Sequence, residues 1–424
     1  MKHTLRAGTG EIMQYAVHGY NDNTIRFILR YPGTVDAEAM RQAVRAVVFS
    51  VDVLHASFQP GRLRARWKVN PEMAEENFFT CLQVEDPWET AVARALEPVS
   101  PDGACQLRCA LVRSTEESLL VVSISHLCAD GIDGKYLLGK LTEAYGRIRS
   151  GDEAGLKVKN GSRAAEQIYE RLSRREMRTL MHSPLGGVKT EFPYPTGEHG
   201  EPRLTLRMIP AGVMASARRR AKAEQASVND LLLAACYQAF AQVAGLGDGT
   251  PVSVMGMMDL RKHCIGGDSA GLCNMSGSLC TTLREGVAED LAQTLARVAR
   301  QTRAAKEEPL AGLVGMPLVH GAARILPMSV LLRCVGRLYG SFSIGLTNLG
   351  SIDCEALALD GLKPTAGVFG GPVKKKPGMQ VSAASFDGAC TLCVAGQYTR
   401  EDALVLRSLL DGMAEHIARY AENA

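Results

Sequence analysis

The stretch that most narrows the possible folds is the apolar run Leu119–Ile124, continued by Ser125-His126-Leu127-Cys128-Ala129-Asp130-Gly131. β-Branched residues crowd this short run with no helical period, which is the pattern of a buried strand. From Gly131 the period changes, and Leu137, Leu138, Leu141, Tyr145 and Ile148 fall on one side of a helix. The chain leaves the strand at a histidine and enters the helix at an acid–glycine turn, a construction that aims an imidazole into a cleft. A neutral imidazole takes up a proton near pH 7, so His126 is a candidate general base. Asp130 is placed to orient that turn, and Gly131 admits positive φ or a close backbone approach.

Blander readings of the same residues exist. A histidine beside an apolar strand also serves as a hydrogen-bonded core residue. His126 and Asp130 could ligate a metal together only on a helix, and no second His/Cys/acid cluster completes a shell, so no metal is expected. Cys128 as a nucleophile would need its own base and an electropositive setting. The pattern His126-x-x-x-Asp130-Gly131 after an apolar strand resembles the HHxxxDG signature of condensation domains and of the wider chloramphenicol-acetyltransferase-like acyltransferases. Ser125 stands where that signature has its first histidine, and His126 is the second, the one the family uses.

The rest of the chain bears on that resemblance. Its 424 residues, 46% hydrophobic, suffice for two domain-sized cores. A net charge of +3 gives no reason to expect nucleic acid or a membrane surface as partner. No apolar stretch approaches the ~20 residues of a membrane span. The start, Met1-Lys2-His3-Thr4-Leu5-Arg6, lacks a secretory apolar region, so a cytoplasmic protein is expected. Twelve cysteines lie scattered among apolar segments, as buried thiols do in a reducing compartment. Cys390 and Cys393 share a strand after the Asp387-Gly388 turn, and their odd spacing points them to opposite faces, against a redox or zinc pair.

In chain order, Thr24–Tyr31 reads as a strand, and Asp36 caps a helix whose buried stripe is Met40, Val44, Val47 and Val48. Asp52-Val53-Leu54-His55-Ala56-Ser57-Phe58 follows, similar to the opening of condensation domains, with His55 where an arginine is usual. Strands are expected at 62–69, 78–84 and 106–113, the last forming a hairpin with the strand that carries His126, and a short helix at 88–96. From 149 to about 202 the pattern loosens around one helical piece, 163–182, with turns at Asn160-Gly161 and Gly186-Gly187, and this segment marks the crossover between halves. Three units are therefore expected: residues 1–165 with the HxxxDG motif, 166–202 as linker, and 203–424.

The second half begins with a strand at 203–209 and a basic helix at 213–222 whose Arg218-Arg219-Arg220 reads as a solvated face. Ser227 caps a core helix, 228–244, closed by Gly245. The strand 252–258 runs into Asp259-Leu260-Arg261, which resembles the family's asparagine-Leu-Arg element, with Asp259 replacing asparagine. The resemblance makes Arg261 the candidate partner of Asp130; a buried unpaired carboxylate would cost several kcal/mol, roughly, so some cation or donor is required. Ile265-Gly266-Gly267-Asp268-Ser269 imitates a phosphopantetheine-attachment string, but its context is strand-like rather than a helical bundle, and a loop is expected. Helices are expected at 289–306 and 321–339. Ser341–Gly350 then resembles the family's "tNlG" strand end, where Thr347 or Asn348 would position an acceptor or stabilise an oxyanion; the local alternative is a turn asparagine beside Gly350. Lys374-Lys375-Lys376 reads as a solvated turn within reach of a CoA phosphate. A hairpin, 379–396, and a helix capped at Thr399 close the chain.

The resemblance runs through nearly the whole length. It implies two chloramphenicol-acetyltransferase-like halves, α/β (α+β), forming a V-shaped pseudo-dimer with a central channel, as a stand-alone member. It implies acyl transfer from a CoA or carrier-protein phosphopantetheine thioester to a small-molecule amine or alcohol. His126 would be the base, with Asp130, Gly131, Arg261 and Asn348 completing the catalytic set and Ser125 and Thr347 touching substrate. No bound cofactor is implied; the thioester is a co-substrate. An alcohol O-acetyltransferase using acetyl-CoA, and a degenerate fold that only binds a carrier or ligand, are the alternatives.

Overall fold

The structure is a computed structural model that describes residues 3–61, 64–152, 155–183, 187–247, 249–265, 271–287, 290–339 and 344–422. The expectations for 266–269, for 341–343, and for positions 62, 186 and 289 fall outside the described residues. Among those described, the strands form three sheets, and no helix is long and apolar enough to cross a membrane.

The first half is built on a five-stranded sheet. Its order is Ala366–Gly370, Thr24–Tyr31, Ser118–Ser125, Leu107–Arg113 and Phe79–Gln83. Ser118–Ser125 is antiparallel to both neighbours and every one of its residues is buried. That double burial is why its sequence runs apolar instead of alternating. Leu120, Val122 and Ile124 meet the helices Ala37–Phe49 and Gly131–Ser150, while Leu119 and Val121 meet Ala91 and Ala95 of the helix Pro87–Leu96. Asp36 caps Ala37–Phe49 by accepting from the Ala39 amide at 3.0 Å. A small sheet of Thr4–Arg6, Arg66–Val69 and Ala56–Gln59 flanks this half.

The second half carries a seven-stranded sheet running Ser276–Leu283, Val252–Asp259, Ile344–Ile352, Met379–Phe386 and Ala389–Tyr398, with Lys374–Lys375 and Glu201–Ile209 both pairing to the last. The helices Val228–Val243, Leu291–Glu307 and Arg400–Glu422 pack on one face as its core. All eleven residues from Asp230 to Phe240 are buried, so the first of these helices is enclosed around its circumference; its two polar members, Asp230 and Gln238, are bonded to Thr302 and Thr294 of the next helix. Ala366–Gly370, numbered within the second half, pairs antiparallel with Thr24–Tyr31 and so knits the halves together.

Three local expectations change. Residues 163–182 are not one helix: a 3₁₀ turn, Ala165–Tyr169, precedes the helix Arg174–His182, because the Ser173/Glu176 capping box starts a new helix there. Residues 321–339 belong to two helices, Met316–Ile325 and Met328–Tyr339, interrupted at Pro327. The lysine run is not a uniform solvated turn. Lys375 is exposed, whereas Lys376 Nζ ion-pairs with the buried Asp402 at 2.5 Å and donates to the Thr196 carbonyl at 2.8 Å. Asp402 forms the reciprocal cap with Thr399, so Lys376 locks the start of the final helix. Cys390 and Cys393 lie in separate apolar clusters on the two faces of their strand.

Candidate active site

The turn after Ser118–Ser125 is tied down by its own backbone. The Ser125 amide donates to Gln106 O at 2.8 Å, the His126 amide to Asn23 O at 2.6 Å, and the Cys128 amide closes back on Ser125 O at 3.1 Å. Asp130 then caps Gly131–Ser150 by accepting from the Asp133 amide at 3.0 Å. Only five residues separate strand from helix, so the half-buried His126 ring has little freedom.

Nδ1 of His126 lies 2.8 Å from the Ala129 carbonyl. A carbonyl only accepts, so Nδ1 carries the proton and Nε2 keeps its lone pair. Among the described residues Nε2 has no hydrogen-bond partner in the protein. The Asn274 side-chain nitrogen sits 3.2 Å from Nδ1 and 3.3 Å from His126 O. With Nδ1 already a donor, the bond Asn274 makes is the one to the carbonyl, while its Oδ1 accepts from the Ser276 amide at 3.0 Å. Burial is the largest influence on the ring and lowers its pKa below 6.5; the Ala129 bond and the Asp130 charge pull the other way and do not prevail. The ring is therefore neutral at pH 7.

Asp130 does not touch the ring by a hydrogen bond. It is buried, and its Oδ2 accepts from Arg261 Nη1 at 2.8 Å and from the Met275 amide at 2.9 Å. Arg261 also pairs through Nη2 with Asp133 Oδ2 at 3.0 Å, through Nη1 with Asp259 Oδ1 at 3.1 Å, and donates to Cys273 O at 3.2 Å. Asp133 accepts in addition from the Cys273 amide at 2.9 Å, and Lys159 ion-pairs with it from the crossover segment. Burial, and then the neighbouring Asp130 carboxylate, raise the pKa of Asp133. Two carboxylates at the head of one helix thus close on a cation from the other half. Buried charges in such a cluster depend on one another, since removing one strands the rest.

Between the halves lies a cavity of about 530 Å³. His126, Asp130, Gly131 and Ile132 line it from the first half; Thr347, Asn348, Leu349, Met255 and Met257 line it from the second. Gly131 serves by close approach: a Cβ there would lie 3.1 Å from Leu349 Cδ1 and 3.4 Å from Phe369 Cζ. Asn348 Oδ1 accepts from the Gly350 amide at 2.9 Å, and Gly350 has φ 78°, so the turn asparagine is present and its Nδ2 remains a donor. Lys374 also lines the cavity.

Two expected site residues stand elsewhere. Ser125 is fully buried and not among the cavity residues, because one step along a strand reverses the face. Arg261 lies behind the cavity wall, in the scaffold that holds Asp130. Three residues escaped sequence reasoning: Asp133, Lys159 and Asn274. Asp133 carried a readable signal, an acid at the third position of a helix capped by Asp130. Lys159 and Asn274 carried none, since their roles arise only when distant segments meet. Among the described residues, no group of three or more His, Cys, Asp or Glu side chains is placed to hold a metal ion.

No family model matches the sequence, and no curated protein matches it in sequence. Solved structures do match in shape over nearly the whole chain. The epimerization domain from the third module of tyrocidine synthetase B is 15% identical, with a TM-score of 0.68, covering 100% of this chain and 97% of its own. The trichothecene 15-O-acetyltransferase TRI3 from Fusarium sporotrichioides is 13% identical, with a TM-score of 0.67, covering 97% and 95%. The starter condensation domain of rhizomide synthetase RzmA, in complex with C8-CoA and Leu-SNAC, is 14% identical, with a TM-score of 0.68, covering 98% and 94%. At these identities the likeness is one of fold: the chain has the two-lobed α/β architecture of condensation and chloramphenicol-acetyltransferase-like domains.

Proposed function

We propose that this protein is an acyltransferase that moves an acyl group from a CoA or carrier-protein phosphopantetheine thioester to a small-molecule amine or alcohol. The observation that carries this reading is the pinned tautomer of His126: with Nδ1 committed to the Ala129 carbonyl, the basic Nε2 is left for a ligand in the cavity between the halves. The fold likeness to the acetyltransferase TRI3 supports acyl transfer, and that to a condensation domain in complex with C8-CoA supports the choice of donor.

The acceptor N–H or O–H gives its proton to Nε2 as the nucleophile attacks the thioester carbonyl. The tetrahedral oxyanion is met by donors from the second half, the Thr347 hydroxyl and Asn348 Nδ2. Collapse breaks the C–S bond, and the imidazolium returns the proton to the departing thiolate, so a free thiol and an amide or ester result. Asp130 and Arg261 act by position, holding the turn from behind. The chemistry uses no covalent acyl-enzyme and no bound cofactor, because the thioester is already activated.

The test is thiol release from acyl-CoA and acyl-pantetheine donors across amine and alcohol acceptors, using wild type and His126→Ala. The wild type should release thiol in an acceptor-dependent way. The variant should keep its fold and donor binding and lose on the order of 10²-fold or more in rate. An amine already deprotonated at high pH should suffer less than an alcohol. Preference for acetyl-CoA with alcohols would make the protein an O-acetyltransferase. Normal turnover by His126→Ala overturns the base assignment, and ligand binding without any thiol release points to a non-catalytic binding protein.

A further inference from the structure

The cavity holds more apolar surface than the chemistry at His126 requires, and it is arranged as a track. Along Val252–Asp259 the cavity is lined by Met255, Met257, Met258 and Asp259, of which Met255, Met257 and Asp259 share one face of the strand. Asp259 touches Arg261, the partner of Asp130, and so marks the catalytic end. Met255 lies four residues further back, about 13 Å away at the rise of an extended strand. Residues paired across a sheet share a face, and the rung at Met255 reads Cys280, Met255, Gly345, Gln380 across four strands. Gly345 is the gap in that rung, leaving a groove between Met255 and Gln380. Met257 is 39% exposed and Ile132 43% exposed, both large apolar side chains facing the cavity. Methionine is unbranched and adapts its shape to an apolar guest.

We infer that the groove floored by Gly345 and walled by Met255 and Met257 receives the acyl chain of the donor, that this chain is apolar and of medium length, and that Gly345 sets how long it can be. The inference rests on the acyl-transfer reading and names its substrate class. About 13 Å of track matches an octanoyl to decanoyl chain, whereas an acetyl group would leave the methionines uncovered. A Cβ on Gly345 would meet Gln380 Cγ at 3.5 Å and the Met255 carbonyl oxygen at 3.6 Å, which is ordinary contact. The backbone therefore tolerates a side chain, and anything larger than methyl must project into the groove.

Unreactive ethyl and octyl thioethers of CoA and of pantetheine are the binding probes, measured by calorimetry on wild type, Gly345→Ala and Gly345→Leu. Acetyl and octanoyl transfer are followed in parallel. Wild type should bind the octyl probe at least tenfold more tightly than the ethyl probe. Gly345→Leu should lose at least tenfold in octyl binding and octanoyl transfer while keeping ethyl binding and acetyl transfer within about twofold, with Gly345→Ala in between. Should Gly345→Leu fail to fold, the graded loss in Gly345→Ala and in Met255→Gln, which makes the groove polar, carries the test. Equal binding of both probes by wild type, or equal weakening of both by the variants, overturns the inference. Octyl binding that obeys Gly345 without any acyl transfer would retain the groove and reject the acyltransferase, so the two failures are distinguishable.

Discussion

The two margins of the cavity are built by different means. The histidine margin is braced from afar: Asp130 holds Arg261 across 131 residues of sequence, Asp133 holds the same guanidinium, and Lys159 joins from the crossover. The asparagine margin is braced locally, by the bond from the Gly350 amide to Asn348 and by the parallel pairing of its strand, whose register shifts between Asn348 and Ser351. On the proposed reading His126 is a base that must meet its proton within a few tenths of an ångström, and the long-range clamp would supply that constancy. The proposed oxyanion donors, Thr347 and Asn348, would tolerate more play. The braced margin is thus the one to which the proposal gives proton transfer, and the locally held margin lies opposite.

The contrast predicts very different costs. Arg261→Met should destabilise the fold by roughly 3–5 kcal/mol, because it leaves two buried carboxylates facing each other without their shared cation; urea denaturation checks this, and Arg261→Lys should recover part of the loss. Asn348→Ala, which breaks one local turn bond, should cost only about 1 kcal/mol in the same measurement. If the two variants melt alike, the distinction between clamp and turn is wrong.

In rate, Asn348→Ala should lower kcat/KM on the order of tenfold, less than the 10²–10³ typical of an isolated oxyanion donor, because Thr347 shares the role. The Thr347→Val, Asn348→Ala double variant should reach the full loss. Single and double variants of equal rate would remove Thr347 from the site and narrow this margin to one residue.

The smallest effect is a shift along the pH axis. Protonated His126 is inactive as a base, and burial holds its pKa below 6.5. Activity should therefore persist as the pH falls past 6.5, and the acid limb of kcat/KM should bend only below that value. A bend above 6.5 would mean that the Asp130 charge outweighs burial, making Asp130 an electrostatic partner of the base and not only part of its clamp.

Much of the chain was legible from local pattern. The strand Thr24–Tyr31, the cap at Asp36, the core helix after Ser227 and the strand–His126–Asp130–helix unit all follow from periodicity and capping chemistry, which act within a few residues. The fold type was reachable through the resemblance carried by His126-x-x-x-Asp130-Gly131, and Arg261 through the same resemblance alone. Periodicity failed where a break was chemical and not hydrophobic, as at the Ser173 capping box and at Pro327. The tertiary structure alone decided which charges are buried together. A sequence announces that a buried Asp needs a cation, but it offers 48 Lys and Arg side chains and no rule for choosing among them. Lys376 and Lys374, two residues apart in one run, end in an ion pair with Asp402 and in the cavity wall. Lys159 reaches Asp133 only because the crossover runs against the helix that starts at Gly131, where the Lys159 amide donates to the Tyr136 hydroxyl at 2.9 Å. Burial of a segment's own apolar face is encoded along that segment, whereas the partner of a buried charge is selected by which distant backbone arrives within about 3 Å, and that is settled only when the two halves close on each other.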